Sequence, residues 1–359
     1  MTAAGDVGFA QRQLAARLAR VRALREARDG GGEPLSAGVH SRLSELWEFG
    51  GHRDRDEPGR RPEFIVVRGE FIGTRPDHPY GPALPRLIKS RGLQLRLLLL
   101  LLFDAQCRAE PGERVRNVRT IVGPAGENYR TWRELVLSET SPTRGTGRTA
   151  QDLRVRQITE ALRALEGQHL VSIPRHPGGR RDYDAFELLS EASTADEHPP
   201  YLVPEAGIRI PRQFFTELWV FALTDTELAT YLLLSFLRWR FPSRHLEQGV
   251  FVTAETREKV FRIARATWRA TDLLHRYRLI DRMPDPRRQY RTGKVGDPAK
   301  RWANREVAPA RFKINNDALS RPALDVIDQV LGAPTAQDVF RRETGMDMPG
   351  LTFDSTLPG

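Results

Sequence analysis

The chain has 359 residues, with 56 Lys and Arg against 46 Asp and Glu, a formal net charge of +10 and 40% hydrophobic residues. This composition predicts two or three soluble domains with real cores, and the basic excess favours a polyanionic partner, nucleic acid ahead of an anionic membrane surface. A single cysteine, Cys107, excludes an intramolecular disulfide and a cysteine zinc cage, and it points to a reducing, cytoplasmic setting.

The first residues are polar and predict no signal peptide. Residues 9–28 predict a basic amphipathic helix. Leu14, Leu18, Val21 and Leu24 fall at helical spacing among Arg12, Arg17, Arg20, Arg22, Arg25 and Arg28, and Gly30-Gly31-Gly32 stops it. This segment, 1–32, stays open to three readings: a DNA-tracking arm, a short dimerising helix, or a helix lying on an anionic membrane. Contact with the chain's own domains or with DNA ranks above the membrane. Residues 33–83 predict a polar extension with one short strand, Phe64–Val67. The longest apolar run, Leu97 to Phe103, falls far short of the roughly 20 residues that span a bilayer. It predicts a buried core helix over 93–108, apolar on every side.

Residues 191–207 carry Glu191, Asp196, Glu197, Glu205, Pro199 and Pro200 and no Lys or Arg, and predict an interdomain linker. The segments on either side repeat one pattern. Leu84-Pro85-Arg86-Leu87 precedes the helix 93–108, and Ile210-Pro211-Arg212-Gln213 precedes a second leucine-rich helix, 224–240, which opens on the capping box Thr224-Asp225-Thr226-Glu227. Then follow β-like pieces at 114–118 and 250–252, short helices at 131–137 and 254–261, and longer basic helices at 149–166 and 264–277. The first of these longer helices starts with Thr149-x-x-Asp152. Matching strand starts at Leu170-Val171 and Leu279-Ile280, basic loops at 174–182 and 284–306, and return strands near 183–188 and 311–315 complete each copy. Residues 332–359 predict a loose tail with one short helix at 336–343.

Helix, strand, helix, helix, strand, loop, strand, twice over, resembles tandem winged-helix DNA-binding proteins. Two such units in one chain look like the replication initiators of bacterial plasmids. The resemblance implies a mainly α fold with small β-hairpins (α+β), with one winged helix at 84–190 and a second at 208–331 bearing a long basic wing. In a winged helix one helix enters the major groove and the hairpin touches phosphate or the minor groove. In the first recognition helix Ile158, Ala161, Leu162 and Leu165 face the core, leaving Arg154, Arg156, Gln157, Thr159 and Arg163 for DNA. In the second, Ile263, Ala270, Leu273, Leu274 and Tyr277 face inward, leaving Arg262, Arg265, Arg269 and Arg276; Trp268 is read as packing on a neighbouring domain. The first wing offers Arg175, Arg180 and Arg181 around Gly178-Gly179, and the second Arg287, Arg288, Arg291, Lys294, Lys300, Arg301 and Arg305. An Arg fork can take guanine or a phosphate in two contacts, and Gln157 can pair with adenine.

The expected function is non-catalytic binding of duplex DNA by an initiator of plasmid or mobile-element replication. One alternative is a transcription regulator binding operator DNA as a homodimer. Another is a winged-helix scaffold whose basic surface meets an acidic protein. No enzyme is expected. Arg144-Gly145-Thr146-Gly147-Arg148-Thr149 lacks the P-loop lysine, and the eight histidines form no His-x-His or His-Glu-x-x-His pair. His275-Arg276-Tyr277-Arg278 holds the His-x-x-Arg fragment of a tyrosine recombinase, but Tyr290 lies too close to serve as its nucleophile. No cofactor, metal, membrane or small-molecule ligand is expected. Double-stranded DNA is the expected partner, in the cytoplasm on the nucleoid or a plasmid.

Overall fold

The computed structural model describes residues 3–29, 38–51, 59–73, 81–89, 92–123, 129–138, 149–193, 196–283 and 309–333. Among them the chain is mainly helical, with three two-stranded antiparallel sheets. No helix among the described residues is long and apolar enough to cross a membrane. The first part runs α1 (Ala3–Asp29), α2 (Val39–Phe49), β1 (Phe64–Val67), α3 (Leu84–Leu87), α4 (Gln94–Arg108), α5 (Trp132–Leu135), α6 (Ala150–Glu166), β2 (Val171–Ser172) and β3 (Glu187–Leu188). The second runs β4 (Ile208–Pro211), α7 (Gln213–Thr216), α8 (Trp219–Ala222), α9 (Asp225–Arg240), α10 (Pro242–His245), α11 (Ala254–Lys259), α12 (Arg265–Trp268), α13 (Thr271–Arg276), β5 (Ile280–Arg282), β6 (Phe312–Ile314) and α14 (Ala323–Gly332).

The hexaleucine segment is the centre of the first part, as its all-round apolar character predicts. Every residue of α4 from Gln94 to Cys107 is buried. A fully buried leucine stabilises by about 1.5–3 kcal/mol relative to exposure, so α4 anchors everything packed on it. Its four buried polar residues each tie down a different segment. Gln94 Nε2 donates to the Leu87 carbonyl at 2.7 Å. Arg96 reaches Asp225 and the Leu223 carbonyl, both at 2.7 Å, at the start of α9. Asp104 accepts from Arg108 and from Arg119. Gln106 donates to the Val66 carbonyl and accepts from the Val66 amide, both at 2.8 Å, so its side chain closes the free edge of β1 as a peptide would.

The other edge of β1 pairs with β4, Val67 opposite Ile208 and Phe64 opposite Pro211. This pairing corrects the repeat register. β1, the turn Gly69–Phe71, α3 and α4 correspond in order to β4, α7, α8 and α9. The shared Pro-Arg letters that suggested a repeat starting at Leu84 mark unlike structure. Pro85 sits in the first turn of helix α3, where its missing N–H would be unpaired anyway, whereas Pro211 ends a strand. The two parts meet again where Phe103 and Phe215 stack with centroids 4.5 Å apart.

Two helices of ten or more residues, besides several single turns, carry no sequence expectation. α2, with Val39, Leu43 and Leu46 buried, packs on α4 and α7 and ends at Gly50 in the left-handed conformation, φ +62°. α14, with Leu324, Ile327 and Leu331 buried, packs on α8 and α1. The expected linker is built into the first part instead of running free. Tyr201 is fully buried, Glu191 is buried against Arg68, and the bridges Leu189–Pro200 and Arg114–Leu202 extend the β2–β3 sheet.

Among the readings left open for α1, the structure shows contact with the chain's own second part. Val21 and Leu24 are buried in the core. Arg17 pairs with Glu227, the capping-box carboxylate of α9, with both side chains buried, and Arg20 donates to the carbonyls of Phe221 and Ala222. Arg25 meets Asp325 and Asp328 on α14.

Candidate nucleic-acid interface

α6 is capped as its sequence predicts. The Asp152 amide donates to Thr149 Oγ1 at 3.1 Å, and the Thr149 amide donates to Asp152 Oδ2 at 3.0 Å. Ile158, Ala161, Leu162 and Leu165 are buried against α4 and α5. Arg156 lies on the exposed face in an ion pair with Glu160 at 2.7 Å. Arg163 is also exposed, donating to the Tyr183 hydroxyl with its guanidinium over that ring. Arg154 and Gln157 are half-buried. Arg154 turns toward α5, 3.5 Å from the Arg133 carbonyl, and the Thr159 hydroxyl donates to the Val155 carbonyl within the helix.

The loop after β2 is a hairpin. Arg175 and Arg181 bridge its arms, Gly179 turns it at φ +77°, and residues 174–180 are all exposed. Its arginines differ in use. Arg181 pairs with Glu166 at the end of α6 at 2.8 Å, and Arg175 curls back to the Gly179 carbonyl at 3.0 Å. Arg180 makes no side-chain hydrogen bond or ion pair among the described residues. Arg181–Glu166 and Arg163–Tyr183 lash the hairpin base to α6.

In the second part the expected single helix over 264–277 is two, α12 and α13, a correction with a local cause. The Thr267 carbonyl accepts from the Ala270 amide three residues on and from the Thr230 hydroxyl of α9 at 3.1 Å, which tightens the turn and breaks the helix there. Ile263, Ala270, Leu273, Leu274 and Tyr277 are buried, as the face analysis predicts. Trp268 packs edge-on against Phe312 of the same unit, 6.0 Å between centroids, and under the Arg257 guanidinium, not against a neighbouring domain.

Arg265 is exposed at the start of α12, and Arg269 is half-buried at the break. Arg262, exposed with φ +53°, lies over Gly81, which leaves it room. Burial lowers the pKa of the neighbouring Arg86 guanidinium, and the charge of Arg262 lowers it further. Arg276 is tied to the end of α14, donating to the Val330 carbonyl at 2.7 Å. The second wing's Arg287, Arg288, Arg291, Lys294, Lys300, Arg301 and Arg305 lie outside the described residues, as does the expected tail helix at 336–343.

Two exposed cations of this unit are missing from the sequence expectation. Arg278 stands in the turn into β5 with φ +66°, and Lys313 points out of β6 between buried Phe312 and Ile314. The alternation Phe-Lys-Ile was the available signal for Lys313. Among the described residues no group of three His, Cys, Asp or Glu could hold a metal ion. Comparison with protein-family models, with curated proteins and with solved structures finds no match.

Proposed function

We propose that the chain binds duplex DNA without catalysis, through two winged helices, in the manner of a plasmid replication initiator. One unit is α6 with the 171–188 hairpin, and the other is α12–α13 with β5 and β6. The observation that carries the reading is the exposed hairpin at 174–180, fastened at its base to a helix with an exposed, arginine-bearing face. A winged helix uses that pair of elements on DNA, the helix in the major groove and the hairpin on the backbone. Arg156, Arg180 and Arg265 are the exposed arginines best placed to reach it, with Glu160 beside Arg156 able to accept from a cytosine amino group. The second copy of the element order supports two successive contacts on a repeated site.

The test is selection of bound fragments from sheared source DNA by the purified full chain at near-physiological salt. Enrichment of one locus carrying iterated short sites supports initiation, and scattered promoter sites would favour a regulator instead. Binding that shows no enrichment and vanishes on a modest salt increase would overturn the reading, because charge alone gives only sequence-blind, salt-sensitive affinity.

A further inference from the structure

We propose that Arg244 and Arg311, both lying over the Phe251 ring where the chain leaves β5 and enters β6, hold phosphates of the DNA backbone. Arg244 is exposed on α10 with its guanidinium 4.7 Å from the Phe251 centroid, and the Arg311 guanidinium is 4.6 Å from the same centroid. The backbone fixes Arg311 at the end of the β5–β6 pair. Its carbonyl accepts from the Met283 amide at 3.0 Å, and the next residue, Phe312, exchanges backbone hydrogen bonds with Val250 at 2.7 and 2.9 Å. Ring contacts extend the cluster through buried His245, which meets Phe251 edge-on at 5.0 Å and Phe241 at 6.2 Å, and Arg240 lies over Phe241 at 5.6 Å.

The cluster has cations and no anion. The Arg244 side chain makes no hydrogen bond or ion pair among the described residues, and Arg311 donates there only to the carbonyl and Oε1 of Gln248, both at 3.1 Å. Arg17, Arg68, Arg119 and Arg257 also lie over rings, and each has a carboxylate partner, Glu227, Glu191, Asp104 and Glu258 in turn. A ring attracts a guanidinium without neutralising it, and the five N–H donors lie in the guanidinium's own plane, so ring contact uses none of them. His245 registers the uncompensated charge. Burial lowers its pKa, a backbone hydrogen bond at Gly249 opposes this, and Arg244 and Arg311 lower it further. A phosphate fits an arginine fork in two contacts. The source of that phosphate follows from place: a winged helix brings its hairpin to the DNA backbone. The inference therefore rests on the duplex-binding reading and adds to it a backbone contact outside the recognition helix.

Anisotropy titrations of a labelled duplex with the full chain, repeated across a salt series, test the assignment. Arg244→Gln combined with Arg311→Gln is expected to lower the slope of log affinity against log salt by about 1.8, roughly 0.9 per phosphate, and to weaken specific and unrelated duplexes alike by about tenfold or more. Arg244→Lys combined with Arg311→Lys keeps the charge and is expected to retain the parent slope, which also controls for folding. Arg209→Gln removes an exposed cation on β4, outside the cluster, and is expected to leave the slope at the parent value. A slope unchanged in the glutamine pair, or lowered as much by Arg209→Gln as by each member of that pair, would overturn the inference and leave duplex binding standing. A parent that binds no duplex at any salt would overturn the duplex-binding reading, and this inference with it.

Discussion

Asp104 is the buried carboxylate on which the first unit's geometry hangs, and replacing it with asparagine isolates its contribution. Arg108 donates to one of its oxygens at 3.0 and 2.8 Å, and Arg119 Nε donates to the other at 2.7 Å. Arg119 is itself fully buried and reaches on to the carbonyls of Arg130 and Gly50, with its guanidinium over Trp132, so it seats α5 beneath α6. Asparagine keeps the shape and deletes the charge, leaving the Arg119 guanidinium buried without its anion. Removing one partner of a buried pair costs about 3–5 kcal/mol. The pH dependence then identifies the cause. Burial alone would raise the Asp104 pKa, but Arg108 and Arg119 outweigh it and hold the group below the ordinary carboxylate value. A lowered native pKa contributes stability that is present above the unfolded value, about 3.9, and lost as pH falls through the native one. Urea unfolding of parent and Asp104→Asn at pH 7, 5 and 3 is the assay. The gap is expected to be full at pH 7 and 5 and to shrink at pH 3. A gap under about 1 kcal/mol at pH 7, where surface pairs lie, or one unchanged at pH 3, would refute the reasoning.

Gln106→Leu strips the amide that closes the β1 edge and also donates to the Tyr201 hydroxyl; a loss of about 1–3 kcal/mol in urea unfolding is expected from the unpaired groups left behind. Arg17→Met leaves the Glu227 carboxylate buried without its cation, so limited proteolysis should cut within α1 faster than in the parent, with about 3–5 kcal/mol lost. Arg180→Ala should leave the melting temperature alone, weaken binding to all duplexes similarly, and lower the slope of log affinity against log salt by about 0.9; an unchanged slope would remove Arg180 from the backbone contact.

Much of the local structure was legible because its causes are local. The all-apolar run over Leu97–Leu102 could only be buried, and Thr149 with Asp152 and Thr224 with Glu227 marked helix starts by chemistry that needs no partner. What stayed hidden depends on distant contacts. The residues of α2 have helical spacing, but only α4 and α7 show what they cover. The stretch 191–207 looked like a linker because Tyr201 and Glu191 find Gln106 and Arg68 only in the fold. Residues 264–277 read as one helix because the break comes from Thr230, on another helix. The arginines misled most. Net charge counts Arg20 and Arg276 as available for DNA, while backbone carbonyls in the second part, invisible in a charge tally, accept their hydrogen bonds.

The pairing of β1 with β4 also governs how the chain is born. Its strands lie about 140 residues apart, and synthesis at roughly 5–20 residues per second leaves β1 waiting ~7–30 s for its partner. During that interval Gln106 can guard one side of Phe64-Ile65-Val66-Val67, and the other side stays open to any strand that passes. A bare apolar edge is the usual seed of intermolecular pairing. The two halves are therefore bound in time as well as in space. A nascent or truncated product that stops before Ile208 carries a sticky, half-finished sheet, and only the arrival of the second half makes the first half safe in a crowded cell.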